Sequence, residues 1–115
     1  MKIILVIGTR PNFMKVAPIA AELRQRPAEF SARVVHTGQH YDYAMSAVFL
    51  KELGLDAPDH YLGATTEGGT VGQVADIMSK FDAVLDQERP DLVMVVGDVS
   101  STLACATAAA LRDLP

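Results

Sequence analysis

A single cysteine among 115 residues excludes an internal disulfide. Cys105 lies in the apolar run Leu103 to Ala110 and is expected to be a buried, inert thiol. Positive charge is also scarce. Ten Lys and Arg stand against fourteen Asp and Glu, for a formal net charge of -4 at pH 7. A nucleic-acid surface needs a concentrated positive field to release counterions, so nucleic acid is not an expected partner. Long hydrophobic runs are missing too. Ile3 to Ile7 is far shorter than a membrane span or the core of a signal peptide, which makes the cytoplasm the expected location and a membrane an unexpected partner. Internal repeats and low-complexity stretches are absent.

Two signatures of phosphate binding are lacking as well. The first loop has no Gly-x-Gly-x-x-Gly, and the second strand runs into His36-Thr37-Gly38-Gln39-His40 rather than an acid for a ribose, which disfavours a nicotinamide cofactor. No Gly-x-x-x-x-Gly-Lys-Ser/Thr supports phosphate cradling of the ATPase kind. His36 and His40 are four residues apart but straddle a Thr-Gly turn and lack a third ligand at recognisable spacing, so no metal is expected.

What remains is a chain that is half hydrophobic, long enough for one core and too short for two ordinary domains. Lys2 to Ile7 is a β-branched and leucine run closed by Gly8, the pattern of a strand covered on both faces. Pro11 suits the first turn of a helix, and Val16, Ile19, Ala20 and Leu23 recur at helical spacing up to about Pro27, with Pro18 a weak point. A second strand is expected at Ala32–Thr37, a second helix at Met45–Leu53 with Gly54 as its stop, and a brief third strand at Tyr61-Leu62. A polar, glycine-rich loop over Ala64–Gly69 then leads into the longest periodic segment, carrying Val71, Val74, Ala75, Met78, Phe81 and Leu85 and stopped by Pro90. Leu92 to Val96 reads as another buried strand, and Ser100 to Leu111 as a helix of small residues. The methionines read as core filler. Strands alternating with helices predict an α/β fold with a Rossmann-like, doubly wound parallel sheet. Arg112-Asp113-Leu114-Pro115 resembles the loop after a helix, and a further strand is expected to follow it.

Ligands of such sheets bind outside the carboxyl ends of the strands. Arg10 at the end of the first strand and Lys15 in the first turns of the next helix make a positive corner beside free backbone N–H groups, suited to a diphosphate. Either cation alone fits a solvated surface better, and their joint position at a strand's carboxyl end is what favours a ligand. Asp98 follows the fourth strand and precedes Ser100-Ser101-Thr102. Its carboxylate has the position of an acid, a base or an orienting acceptor, and equally that of a helix-capping or turn aspartate. Gln39 and His40 read as polar ligand contacts or as ordinary turn residues, and Gly68-Gly69 as a mobile flap or a linker.

In combination, Gly8-Thr9-Arg10-Pro11-Asn12-Phe13-Met14-Lys15-Val16-Ala17-Pro18, His36-Thr37-Gly38-Gln39-His40, Gln73, and Gly97-Asp98-Val99-Ser100-Ser101-Thr102 resemble the non-hydrolysing UDP-N-acetylglucosamine 2-epimerases over the whole chain. That resemblance implies a GT-B-type fold of two Rossmann-like domains around a cleft, of which residues 1–115 are a partial amino-terminal domain and the second domain is absent. It also implies a homodimer at full length. The implied reaction interconverts UDP-N-acetylglucosamine and UDP-N-acetylmannosamine by eliminating UDP to a 2-acetamidoglucal and adding it back after inversion at C2, with no cofactor. By the same resemblance Arg10 and Lys15 contact the nucleotide or its diphosphate, and Asp98 is catalytic. Gln39, His40 and Gln73 match positions near a second, allosteric UDP-N-acetylglucosamine site. Asn12-Phe13-Met14 stands where many bacterial members carry Glu-Ala-Ile, a difference that bears on the sugar accepted and on regulation. The family's catalytic glutamates and a histidine fall past Pro115, so residues 1–115 alone are expected to be inactive. A hydrolysing UDP-sugar epimerase or a GT-B glycosyltransferase would share this scaffold. A non-catalytic nucleotide-binding or regulatory module is the alternative of another class.

Overall fold

The computed structural model describes residues 1–8, 10–38, 48, 51–54, 57–65, 67–97 and 99–115, with backbone alone at residues 10 and 11. The elements are β1 (Lys2–Ile7), α1 (Arg10–Arg24), β2 (Ser31–His36), β3 (His60–Tyr61), α2 (Gly69–Glu88), β4 (Leu92–Met94) and α3 (Ser100–Leu111). Of the helix expected at Met45–Leu53, Val48, Lys51 and Glu52 are helical and most of the rest lies outside the described residues. Gly54 does take the left-handed conformation of a glycine stop, with φ 76°.

The strands form one parallel sheet in the order β3-β2-β1-β4, as the alternation of strands and helices requires. Alternate residues of β1 divide the core. Ile3, Leu5 and Ile7 pack with Phe13, Val16, Ala17, Ala20 and Leu23 of α1. Ile4 and Val6 pack with Ile77, Phe81 and Leu85 of α2 and with Ala104, Cys105 and Ala108 of α3. A strand buried on both faces can be apolar at every position, and β1 is from Ile3 to Ile7. Helix α1 runs unbroken through Pro18, which is exposed, and stops at Arg24, three residues before the expected Pro27.

Several boundaries shift. Strand β2 begins one residue earlier than expected and yields Thr37 to the loop, while β3 is His60–Tyr61 and β4 ends at Met94 rather than Val96. Strand β4 is half-buried throughout, because it has a strand partner on one side only among the described residues. In α2 the buried line is Ile77, Phe81, Val84 and Leu85, whereas Val71, expected on the apolar face, is 82% exposed and Ala75 is exposed. The sheet covers only the second half of that long apolar stripe. Met14 is also exposed, so it fills no core.

The amino end of the sheet is fastened by charge. Glu88, at the end of α2, lies 3.6 Å from Lys2 Nζ of β1, 3.2 Å from Arg33 Nε of β2 and 3.8 Å from His60 Nε2 of β3. Arg89 then turns into the left-handed region with φ 47° and donates its N–H to Leu85 O, and buried Pro90 ends any continuation. No described helix is long and apolar enough to cross a membrane.

Candidate functional site

The chain moves outward from β1 through β2 to β3, then returns across β1 to lay down β4. The order of strands therefore reverses between β1 and β4, and a crevice at such a switch point is where doubly wound sheets hold ligands. Gly8 follows β1 into α1, and Gly97 lies within the segment that leads from β4 to α3.

Close approach explains the first glycine. A Cβ on Gly8 would stand 2.7 Å from Thr37 Oγ1 and 2.9 Å from Ser101 Oγ, so only hydrogen fits. Three motifs that are 29 to 93 residues apart in the chain thus meet at one α-carbon. Gly97 needs its glycine twice over, since its φ is 86° and a Cβ would lie 3.0 Å from Asn12 Nδ2.

Beside them Asn12 is buried at 3% exposure. Its Oδ1 accepts the Gly8 N–H at 3.1 Å and its Nδ2 donates to Val96 O at 3.3 Å. Thr102 Oγ1 donates to the same carbonyl at 3.0 Å. The start of α1, the segment just after β4 and the start of α3 are joined through these two polar side chains.

His36 is buried at the end of β2, with Phe13 tilted against it at 5.5 Å and Tyr61 stacked at 5.4 Å between ring centroids. Its Nδ1 accepts the Gly38 N–H at 2.8 Å, which fixes the turn leading to Gln39 and His40. That nitrogen is unavailable to a metal. Among the described residues no three His, Cys, Asp or Glu side chains gather as a metal site would need.

The loop after β3 is tied to α2 by charge. Asp76 Oδ2 accepts the Thr65 N–H at 2.8 Å and Lys80 Nζ at 2.9 Å, while Lys80 also donates to Gly63 O at 3.1 Å. The Lys80 ammonium first, then the Thr65 amide, hold the Asp76 carboxyl below the usual carboxylate range. Gly68 enters α2 with φ 80°, and a Cβ on Gly72 would lie 2.5 Å from Glu67 O, so this corner is built for glycine.

The residues singled out from the sequence distribute unevenly. Arg10 is the first residue of α1, and its side chain lies outside the described residues; Lys15 is exposed on the same helix. Gln73 is half-buried in the second turn of α2. Gln39, His40 and Asp98 lie outside the described residues. The N-cap of α3 falls on Val99, and neither it nor Gly68 of α2 gives its helix a side-chain cap. Two helix amino termini at the strand carboxyl ends thus receive no side-chain bond from their N-cap residues, an arrangement that suits an anion.

A second concavity has a different character. A groove of about 690 Å³ runs between α2 and α3, lined by Val71, Val74, Met78, Leu103 and Leu111. Its walls are mostly apolar and carry no Lys or Arg for a diphosphate, and the strand-end crevice remains the candidate site. The sequence marks Asn12 only as part of a motif and gives no sign of Asp76 and Lys80 as a pair beyond their spacing. The i, i+4 spacing of Asp76 and Lys80 was visible, and Asn12 is a polar residue one step before the apolar Phe13 of a helix's first turn.

The model of the family described as UDP-N-acetylglucosamine 2-epimerase matches residues 21–115. A UDP-N-acetylglucosamine 2-epimerase homolog of Methanococcus maripaludis is 40% identical over 108 residues, covering 94% of this chain and 29% of its own length. The UDP-2,3-diacetamido-2,3-dideoxy-D-glucuronate 2-epimerase of Pseudomonas aeruginosa is 39% identical over 116 residues, covering 100% and 32%. Among solved structures, the Neisseria meningitidis UDP-GlcNAc 2-epimerase bound to UDP-GlcNAc superposes with a TM-score of 0.90 at 31% identity, over 100% of this chain and 31% of that one. The Methanocaldococcus jannaschii UDP-GlcNAc 2-epimerase in complex with UDP-GlcNAc and UDP gives 0.84 at 32% identity, over 99% and 31%. The chain therefore spans about a third of the length of the relatives it matches.

Proposed function

This chain belongs to the UDP-N-acetylglucosamine 2-epimerase family, and we propose that it forms one wall of a crevice in which a UDP-sugar is epimerised at C2. One observation carries the reading. The strand order reverses between β1 and β4, and the Gly8 and Gly97 segments meet at that reversal around Asn12. On this reading residues 1–115 are part of the first of two Rossmann-like domains, and the other wall comes from a second.

The reaction asks for cations and a carboxylate in one place. Departure of UDP builds negative charge on the diphosphate, while the sugar gains oxocarbenium character before losing its C2 proton. Arg10 and Lys15 are assigned to the diphosphate, helped by the uncapped amino ends of α2 and α3. Asp98 is assigned to the sugar as acid, base or orienting acceptor. Elimination leaves a 2-acetamidoglucal, and UDP adds back after C2 has inverted. Gln39, His40 and Gln73 are assigned to a second, regulatory nucleotide-sugar site, and the assembly is a homodimer.

The protein at the full length of its relatives should epimerise UDP-N-acetylglucosamine without added nicotinamide and incorporate deuterium at C2 in deuterated water. Turnover without C2 label would exclude the elimination route. Release of free N-acetylmannosamine and UDP would mark a hydrolysing enzyme instead. The 39% identity to a relative named for a 2,3-diacetamido glucuronate favours a second substrate reading, so that UDP-sugar belongs in the same assay. Alanine at Arg10 or Lys15 should weaken UDP binding, and Asp98→Asn should lower turnover far more than binding.

A further inference from the structure

The hydrogen-bond direction of β1 can be read from its neighbours. Ser31 N–H donates to Met1 O and Thr37 N–H donates to Ile7 O, so the odd residues of β1 turn their backbone groups toward β2. The even residues turn theirs toward β4, Gly8 included. The β1–β4 register pairs Ile3 with Leu92, Ile4 with Val93 and Leu5 with Met94, and stops there. Continued two residues further it would pair Ile7 with Val96, and its next rung would run from the Gly8 N–H to the Val96 carbonyl. Those are the two groups the Asn12 side chain takes, at 3.1 and 3.3 Å.

We infer that Asn12 is a positioning residue: its buried amide replaces the last rung of the β1–β4 ladder and holds the two strand ends one amide apart at the switch point. Its orientation is dictated by its partners, since Gly8 N–H can only donate and the Val96 carbonyl can only accept. The spacing it sets is that between the first turn of α1, which begins at Arg10, and the segment after Gly97 that leads into α3. Gly97 leaves room for the Nδ2 end, with 3.0 Å between that nitrogen and the position of a Cβ. The catalytic part of this inference rests on the epimerase reading; the rung itself does not.

Aspartate is the discriminating replacement, because it matches asparagine in size. An ionised carboxylate would turn an oxygen against the Val96 carbonyl, whereas a protonated one would donate to it and still accept from Gly8. The folded state therefore raises the pKa of an aspartate at this position above its unfolded value. The stability of the Asn12→Asp protein relative to the parent is then fully present below the unfolded value and lost as pH rises through the folded one.

The test measures the parent, Asn12→Asp and Asn12→Ala proteins at the full length of their relatives, by thermal unfolding from pH 3 to 8 and by steady-state epimerisation from pH 5 to 8. A Tm gap between parent and Asn12→Asp that widens with rising pH is expected, with the kcat ratio falling in step. Asn12→Ala should lose about 100-fold in kcat with KM within about threefold, the scale of a 1 Å misplacement. A Tm gap that does not change with pH would overturn the rung. A folded Asn12→Ala enzyme with parental kcat would overturn the positioning role. If Asn12→Ala does not fold, the Asn12→Asp profile decides both points. A parent inactive on every UDP-sugar tried would remove the epimerase reading and leave the Tm test of the rung intact.

Discussion

Gly8 and Thr37 touch so closely that a single methyl group on the first would stand 2.7 Å from the hydroxyl oxygen of the second. The Thr37 hydroxyl cannot retreat freely, being buried and 3.5 Å from Ile7 O. Gly8→Ala is therefore expected to destabilise by about 2 kcal/mol through overpacking. Because Ser101 Oγ crowds the same point at 2.9 Å, Gly8→Val should cost more. Chemical denaturation gives both values, and equal stability of parent and Gly8→Ala would refute the packing.

Phe81 is fully buried between the sheet and the helices, and Val71 on the same helix is almost fully exposed. Phe81→Ala should lose about 3–5 kcal/mol, the usual range for a buried phenylalanine. Val71→Ser should change stability by less than about 0.5 kcal/mol. The pair of unfolding curves tests which face of α2 meets the sheet.

Asp76 carries a pH signature. Its carboxyl is held below the usual range by Lys80 and the Thr65 amide, so its contribution is present above the unfolded value and lost as pH falls through the folded one. Asp76→Asn should cost about 1 kcal/mol near neutrality, reduced by solvent at this partly open site. Thermal unfolding from pH 7 to pH 2.5 should show the parent and variant converging at the acid end.

Cys105 has no exposed surface, and burial pushes its thiol up to about 12. A thiol reagent at pH 8 is expected to label it only as fast as the chain opens, and at once in denaturant. Rapid labelling of the native protein would show that α3 does not pack as described.

Arg89 holds a left-handed backbone conformation, which costs an L residue about 1–2 kcal/mol. Glycine removes that cost but adds freedom to the unfolded chain, worth about 0.5–1 kcal/mol. Arg89→Gly should gain roughly 0.5 kcal/mol net, and Arg89→Ala, which keeps the strain, should gain nothing; a denaturant midpoint for each decides it.

How much of this could be read from the chain follows from the range of each interaction. Strand β1 and helix α3 were legible because their apolar or small-residue runs are long and end at Gly8 and Leu111. The edges of β2, β3 and β4 were not, since a ladder ends where its partner does, and the partner lies tens of residues away. Val71 misled for a related reason: periodicity marks an apolar face without saying how much of it the sheet covers. In the site, Gly8 and Gly97 were visible as glycines at strand ends, but the contacts that require them come from Thr37, Ser101 and Asn12 in other segments. Asn12 stood out only as a departure from a motif, because its two partners are brought together by the strand reversal. The assignments to Arg10, Lys15, Asp98, Gln39, His40 and Gln73 rest on the family and await the measurements above.

Glu88 gives α2 a mechanical property. One carboxylate reaches Lys2 and Arg33 on two adjacent strands and lies beside His60 on a third, so sliding the helix along the sheet would break both ion pairs together. Any tilt of the helix would pivot at that carboxylate. The 20-residue helix is about 30 Å long, and a tilt of about 5° at the Glu88 end would carry Gly69 roughly 2.6 Å. The loop latched by Asp76 would travel with it as a lever arm, converting a small angular change far from the crevice into an atomic-scale displacement of its rim.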